Sequence, residues 1–592
     1  MSKRKSSDPK VGDVEPGSRK IPRSGHSYVT SEGKSSLLSS WIPSPDALRE
    51  TVESIIVAFV LAFLFRTFEA EAFVIPTGSM APTLMGRHKD LCCPECGYQF
   101  QLSASDTRQG DGDEQEAIVR GGTCPICRHP VNLFGGDFPT YNGDRILVAK
   151  FPYAFEQPQR WDVIVFRFPG HAVPNDISQN YIKRLVGLPG ETVEIHHGNL
   201  WIWDRIRDPN GTFEIARKPP KKLLAMLQPV FDNDLAPKVT ALGWPARWQA
   251  VPAGDRTGQW VSNDGQSFST DGSAPGEAWL RYSHLAPSYW QWQEMVRRHA
   301  LPAGETVRPQ LISDFTAYDT VPSPLRQEPG PSASSVGLHW VGDLAVECTL
   351  ELQSDSGEVV FELIKGGHRF RCTIDAASGT ATLAIPGAAA APRAETAVRG
   401  PGRHKIMFSN VADELRLWVD GGVMTFDAPT TYDSFALGAR IPTRLDLHPA
   451  GIAARQAAAT ISHLRLSRDI YYIAAEESIM MDFKDGRPPD LGDSRDWATA
   501  FDNDNMRRIE FPLADPDTDH PGKDRFFVLG DNSASSKDGR LWGTKDTEYW
   551  VSRDLLIGKA MFIYWPHSWG QLPGPLAPLP CFPNFKRMRL VR

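Results

Sequence analysis

A chain of 592 residues is too long for a single hydrophobic core and predicts about three to five domains. With 41% hydrophobic and 23% charged residues and a mean hydropathy of −0.33, it is not a polytopic membrane protein. A net charge of −7 gives no electrostatic footprint for nucleic acid.

Residues 1–46 are rich in Ser, Pro, Gly, Lys and Arg and poor in aromatics, a composition that cannot bury enough surface to fold. They read as a disordered cytoplasmic tail. Ile55 to Phe65 is the longest uncharged apolar run, and residues 47–68 reach the length of a transmembrane helix if Arg49 and Arg66 snorkel. Lys3, Arg4, Lys5, Lys10, Arg19, Lys20 and Arg23 lie before it, so the remainder is expected on the outer face of the cell membrane. A buried core helix or a cleaved signal peptide are the alternatives, the latter because Ala70-Glu71-Ala72 has the small-x-small form of a cleavage site.

Residues 69–90 contain Phe73-Val-Ile-Pro-Thr-Gly-Ser-Met-Ala-Pro-Thr-Leu84, which places a candidate nucleophile, Ser79, just after the apolar run. Serine is inert at neutral pH without a base, so the base must be found elsewhere. Residues 91–136 carry Cys93-Pro-Glu-Cys96 and Cys124-Pro-Ile-Cys127, two turns whose four thiolates suit one structural zinc ion in a ribbon-like insert. Two disulfides are the competing reading in an oxidising exterior. Cys92, Cys348, Cys372 and Cys581 lack such spacing and read as small buried hydrophobes.

From residue 137 to 203 the chain reads as short β-branched strands bounded by Gly, Pro and Asn, the signature of an antiparallel barrel or sandwich. Residues 204–334 are rich in Trp, Pro and Gly and show little regular period. Residues 335–473 alternate again and are expected to form a jelly-roll β-sandwich, similar to the concanavalin and laminin-G type at Leu415 to Gly421 and Leu464 to Tyr471. Residues 474–592 return to the first texture, so the first β domain is expected to be split by inserts. The expected fold class is mainly β.

Two base types compete for Ser79. The histidines, including His196-His197, stand in no recognisable triad context, and Ser79 lacks a Gly-x-Ser-x-Gly elbow. Lysine can serve only when burial leaves it neutral. Lys183 lies in the strand-like run Tyr181 to Val186, where a charged edge position is the ordinary reading of a lysine taken alone.

Four segments occur in order: Ile75 to Leu84, Gly143-Asp144-Arg145-Ile146-Leu147-Val148, Tyr181 to Glu191, and Gly530-Asp531-Asn532-Ser533-Ala534-Ser535-Ser536-Lys537-Asp538-Gly539-Arg540. Together they resemble the type I signal peptidases, membrane-bound serine proteases with a Ser/Lys dyad. The resemblance implies that Ser79 is the nucleophile, Lys183 the general base, and Thr77 with the Ser79 N–H the oxyanion hole. It further implies that Ser536 orients the lysine and that Asp538 and Arg540 form a structural ion pair; Gly539 stands where the family usually has Ser. Met80, Ile146 and Val148 are expected to line shallow substrate pockets or to belong to the strand core. No catalytic cofactor is implied. The implied partners are signal-peptide-bearing preproteins cleaved after small-x-small sites, membrane lipid and the secretion translocon. An envelope-anchored binding or scaffold protein with a vestigial peptidase frame is the alternative reading.

Overall fold

The computed structural model describes residues 45–64, 70–105, 119–134, 136, 138–169, 179–205, 207–235, 238–251, 259–262, 264–319, 337–475, 480–513, 524–543, 548–566 and 584–592. The tail to residue 44, residues 65–68 of the expected span, most of the acidic Ser103 to Glu116 loop and Cys581 lie outside them.

One helix, α1 (Pro45–Leu64), forms its own unit. It covers residues 47–64 of the span expected over 47–68, and among the described residues no helix is long and apolar enough to cross a membrane. The cause is charge: Asp46, Arg49, Glu50 and Glu53 occupy its first half, and the uncharged remainder, Ser54 to Leu64, is about 16 Å long at 1.5 Å per residue. Arg49 and Glu53 form an exposed i,i+4 ion pair.

The second unit is built on an eight-stranded antiparallel sheet made from widely separated stretches of chain. Its strands are β1 (Ala70–Val74), β2 (Arg145–Ala149), β3 (Val163–Arg167), β4 (Asn180–Gly187), β5 (Arg525–Leu529), β6 (Val551–Ser552), β7 (Leu556–Trp565) and β8 (Arg589–Leu590). They lie in the order β1-β2-β7-β3-β4-β5-β6, with β8 on the edge of β7. Strand side chains alternate between faces, and both faces here are covered. Ile146, Val148, Val163, Val165 and Ile182 pack with Ile75 and Met80 on one side, and Ile164, Phe166, Leu185 and Val528 pack with Trp542 on the other. A smaller four-stranded sheet adjoins through Glu191–His196, paired with Asn199–Asp204 and with Arg508–Pro512.

Between these parts lie two seven-stranded sheets facing each other across one core. Val346, Leu350, Phe408 and Leu466 come from one sheet, Phe361, Leu363, Phe370 and Ile452 from the other. The stretch 204–334, expected to be irregular, contributes four strands to this sandwich. Gln228–Asp232 and Phe268–Thr270 pair with Ala459–Arg468, while Trp248–Ala250 and Ala278–Tyr282 extend the sheet that contains Ala450–Arg455. Three of the four pair with strands in the 450–468 stretch, far along the chain, and Trp248–Ala250 joins through Ala278–Tyr282, so short runs that look aperiodic locally become strands only when the distant edges arrive. Leu280 is fully buried there, and Leu280→Ala should cost about 2–5 kcal/mol. A urea-denaturation midpoint equal to that of the parent chain would place this strand outside the core.

Candidate active site

Pro76 turns the chain out of β1, and Gly78–Met80 form a single 3₁₀ turn with Thr77 as its N-cap. Ser79 is therefore held in a turn and is 7% exposed. Lys183 comes from the middle of β4, opposite Ile164 of β3. Its Nζ lies 2.7 Å from Ser79 Oγ and 3.1 Å from the Ile182 carbonyl oxygen. The two residues that the sequence pairs across a hundred positions thus meet in hydrogen-bond contact. Lys183 is 3% exposed. Burial pulls its pKa down to about 8, and Arg540 acts in the same direction while Asp538 and Asp531 oppose it.

The return turn after β5 closes the site. Asp531 accepts from Arg184 Nε at 2.6 Å and Nη2 at 2.5 Å, with both side chains fully buried, and the Thr83 hydroxyl also donates to it. Asp538 and Arg540 form the expected pair, 2.8 Å apart and fully buried. Asp538 also accepts the Gly530 N–H at 2.9 Å, and Arg540 donates to the Ile473 and Ser533 carbonyls. Gly530 has no room for a side chain: a Cβ there would sit 2.4 Å from the Ser79 carbonyl oxygen and 2.2 Å from Ser536 Oγ.

Thr77 is half-buried at the mouth of the turn, and its hydroxyl makes no capping bond. Ser536 departs from expectation. It is buried at the dyad's edge, but its Oγ has no hydrogen-bond partner among the described residues and does not bond Lys183. The Ile182 carbonyl, supplied by the lysine's own strand, is the second contact of Nζ instead. Met80, Ile146 and Val148 are fully enclosed in the apolar cluster beneath the turn, so they exclude water and do not line an open pocket. His196 and His197 belong to the smaller sheet and its edge; burial pushes both pKa values down, His196 to about 2 and His197 to about 3.

Several participants carry no conspicuous sequence signal. Asn532 donates from Nδ2 to the Gly78 carbonyl at 3.1 Å and to Asp319 Oδ1 at 2.5 Å, and its backbone N–H donates to the Ser79 carbonyl at 3.1 Å. Asn532 and Asp531 lie inside the quoted Gly530 motif and could have been singled out there. Asp319 and its neighbour Tyr318 could not, since nothing in 204–334 marks them. Tyr318 packs so tightly on Gly78 that a Cβ there would sit 2.1 Å from its ring. Burial pushes the Asp319 carboxyl up to about 6 against the hydrogen bond from Asn532.

The four cysteines converge. Cys93, Cys96, Cys124 and Cys127 are buried, with their sulfurs all within 4.8 Å of one another. The Cys93–Cys127 and Cys96–Cys124 separations of 3.5 and 3.6 Å are too long for a covalent bond. They approach the edge of about 3.8 Å expected of a tetrahedron with sulfur about 2.3 Å from zinc. Four thiolates leave no open coordination position, so a metal held here is structural. The module packs on the sandwich, where Arg247 donates to the Ile126 carbonyl and Trp292 to that of Cys127.

Residues 137–272 and 485–565 match the family model described as signal peptidase, peptidase S26. These stretches contain Lys183, Ser536, Asp538 and Arg540; Ser79 lies before them. A probable signal peptidase I-1 of Synechocystis sp. is 31% identical over 166 residues, which cover 28% of this chain and 56% of that protein. A signal peptidase I of Leptolyngbya laminosa is 30% identical over 164 residues, covering 27% and 53%. The chain therefore spans about half the length of the curated relatives it matches. Among solved structures, a carbohydrate-binding module, CBM66 of Bacillus subtilis, aligns with 37% of this chain and 95% of its own at 10% identity and a TM-score of 0.20.

The cysteine geometry predicts about one zinc ion per purified chain, lost in Cys93→Ser together with thermal stability, as measured by elemental analysis and a melting curve. Metal-free wild-type protein with the same melting temperature would reject the centre.

Proposed function

We infer that this chain is a type I signal peptidase, a serine endopeptidase that removes N-terminal signal peptides from exported preproteins by acyl transfer at Ser79. The observation that carries this reading is the 2.7 Å contact between Ser79 Oγ and a buried lysine whose pKa is pulled down to about 8. At pH 7 roughly a tenth of such a lysine is neutral, against less than a thousandth at the ordinary value of 10.5.

Neutral Lys183 accepts the Ser79 proton as Oγ attacks the scissile carbonyl. The Ser79 N–H and the Thr77 hydroxyl stabilise the oxyanion. As the tetrahedral intermediate collapses, the Lys183 ammonium gives its proton to the leaving amine and the acyl-serine remains. The mature chain has left as that amine; Lys183, neutral again, takes a proton from a water that attacks the acyl-serine, breaking the ester bond to release the signal peptide with a free C-terminal carboxylate and regenerate the Ser79 hydroxyl. The buried carboxylates Asp531 and Asp538 are each held by an arginine, which limits their pull on the lysine's proton.

Membrane association belongs to the same reading. Val52, Ile55, Ile56, Val57, Phe59 and Val60 of α1 are exposed, and a lipid surface would cover them. Preproteins retained at a membrane by their signal sequence are the substrate class that such an anchorage would serve, and the secretion translocon is the machinery that would deliver them.

In detergent, the chain should cleave a preprotein carrying an Ala-x-Ala site. Ser79→Ala should abolish cleavage and Lys183→Ala should reduce it by about 10² to 10⁴. Thr77→Val should lose about 10² to 10³ in kcat while Thr77→Ser retains most of it. Full activity in either dyad variant would remove the proposed mechanism. Because the base works only when neutral, kcat/KM should rise about tenfold per pH unit and level off near pH 8. A rate still climbing steeply above pH 9.5 would mean that Lys183 titrates like an exposed lysine.

A further inference from the structure

Asp319 lies outside the stretches that match the peptidase family, yet it reaches the turn that carries Ser79. Resting on the peptidase reading above, we propose that Asp319 is a positioning residue: through Asn532 it fixes the Gly78–Ser79 peptide so that the Ser79 N–H faces the substrate carbonyl.

The geometry follows from one planar unit. The Gly78 carbonyl and the Ser79 N–H belong to the same trans peptide and point in opposite directions. Holding the carbonyl inward therefore aims the N–H outward, toward the place where an oxyanion forms. The Gly78 oxygen accepts the Ala81 N–H of its own turn at 3.0 Å, and Asn532 Nδ2 adds the bond from outside the turn, with one hydrogen on the Gly78 oxygen at 3.1 Å and the other on Asp319 Oδ1 at 2.5 Å. A reversed amide would set its oxygen against two acceptor oxygens, so Asp319 also decides which way the amide lies. Without that carboxylate, Asn532 is free to turn its amide over, leaving the Gly78 carbonyl on the Ala81 N–H alone and the peptide freer to tilt. Asp319 is 5% exposed, and it lines with Asn532 a water-sized cavity of about 20 Å³; among the described residues Asn532 Oδ1 has no hydrogen-bond partner, and the Ser535 side chain also favours the Asp319 carboxylate.

The segment that delivers Asp319 is itself braced by the inserts. Arg468, at the end of a sandwich strand, donates to the carbonyls of Asp314 and Phe315 at 2.9 and 3.0 Å. The Arg128 guanidinium, one residue beyond Cys127, lies 3.6 Å over the Phe315 ring. Tyr318 then fills the space beside Gly78 that any side chain would occupy. Both inserts thereby bear on the oxyanion peptide without supplying a catalytic group.

Full-length wild type, Asp319→Leu and Asp319→Asn are compared on the preprotein. Leucine has similar bulk and no acceptor, whereas asparagine keeps an oxygen for Asn532 Nδ2. Asp319→Leu should lower kcat about ten- to a hundredfold with KM within about twofold, and Asp319→Asn should recover to within about threefold of wild type. If Asp319→Leu does not fold, Asp319→Ser, too short to reach the amide, takes its place. An unchanged kcat in the acceptor-free variant, or an asparagine variant as impaired as it, overturns the proposal. Wild type that leaves the preprotein uncut sinks the peptidase reading, and the proposal is then decided by the crystal structure of the acceptor-free variant. A Gly78–Ser79 peptide oriented as in wild type overturns it; a rotated peptide upholds it.

Discussion

The site depends on keeping one ammonium group out of water. On the proposed mechanism Lys183 takes a proton from Ser79 only while burial makes its charged form unfavourable, yet Asp531 and Asp538 lie near enough to favour that charge. The two fully buried ion pairs, Arg184–Asp531 and Arg540–Asp538, resolve the conflict by giving each carboxylate a cation of its own. Desolvating such pairs is expensive, and apolar replacements are often as stable. Their presence here is better understood through the turn they shape. Asp538 holds the Gly530 N–H, Asp531 ties that turn to the lysine's strand, and Gly530 then passes close under Ser79.

The inserts extend this arrangement. Chain that enters the sandwich at Gln228 comes back to the nucleophile at Tyr318 and Asp319, leaves again, and returns through Ile473, whose carbonyl accepts from Arg540. The catalytic sheet and the sandwich are therefore joined by buried polar contacts as well as by sequence. Such contacts lose much if one partner is removed and little if both are absent. That asymmetry explains how a frame could accommodate large additions and afterwards depend on them.

The sequence disclosed the chemistry better than the architecture. The meeting of Ser79 and Lys183 was legible because each stands in a stretch whose neighbours are specific, and the cysteine spacing announced a four-sulfur cluster that the fold assembles. The strands between Gln228 and Tyr282 were hidden, since they are short, separated by Pro- and Gly-rich stretches, and most of them pair with edges in the distant 450–468 stretch. A lone aspartate in a Trp- and Pro-rich region gives no hint that it will lie 2.5 Å from an active-site amide. Ser536, expected from its motif to orient the lysine, lies buried nearby without a bond to it, and the Ile182 carbonyl is the second contact of Nζ. In α1 the acidic and basic residues of the first two turns shorten an apolar run that looked long enough when Arg49 and Arg66 were allowed to snorkel.

The order of strands in the catalytic sheet has a consequence for synthesis. β4, which bears Lys183, pairs with β5 at Arg525–Leu529, and β2 is joined to β3 only through β7 at Leu556–Trp565. A ribosome that has passed the nucleophile and the base must still make more than three hundred further residues before the sheet can close around them. On the proposed mechanism, the nascent chain has no working dyad until β5 and β7 have been made.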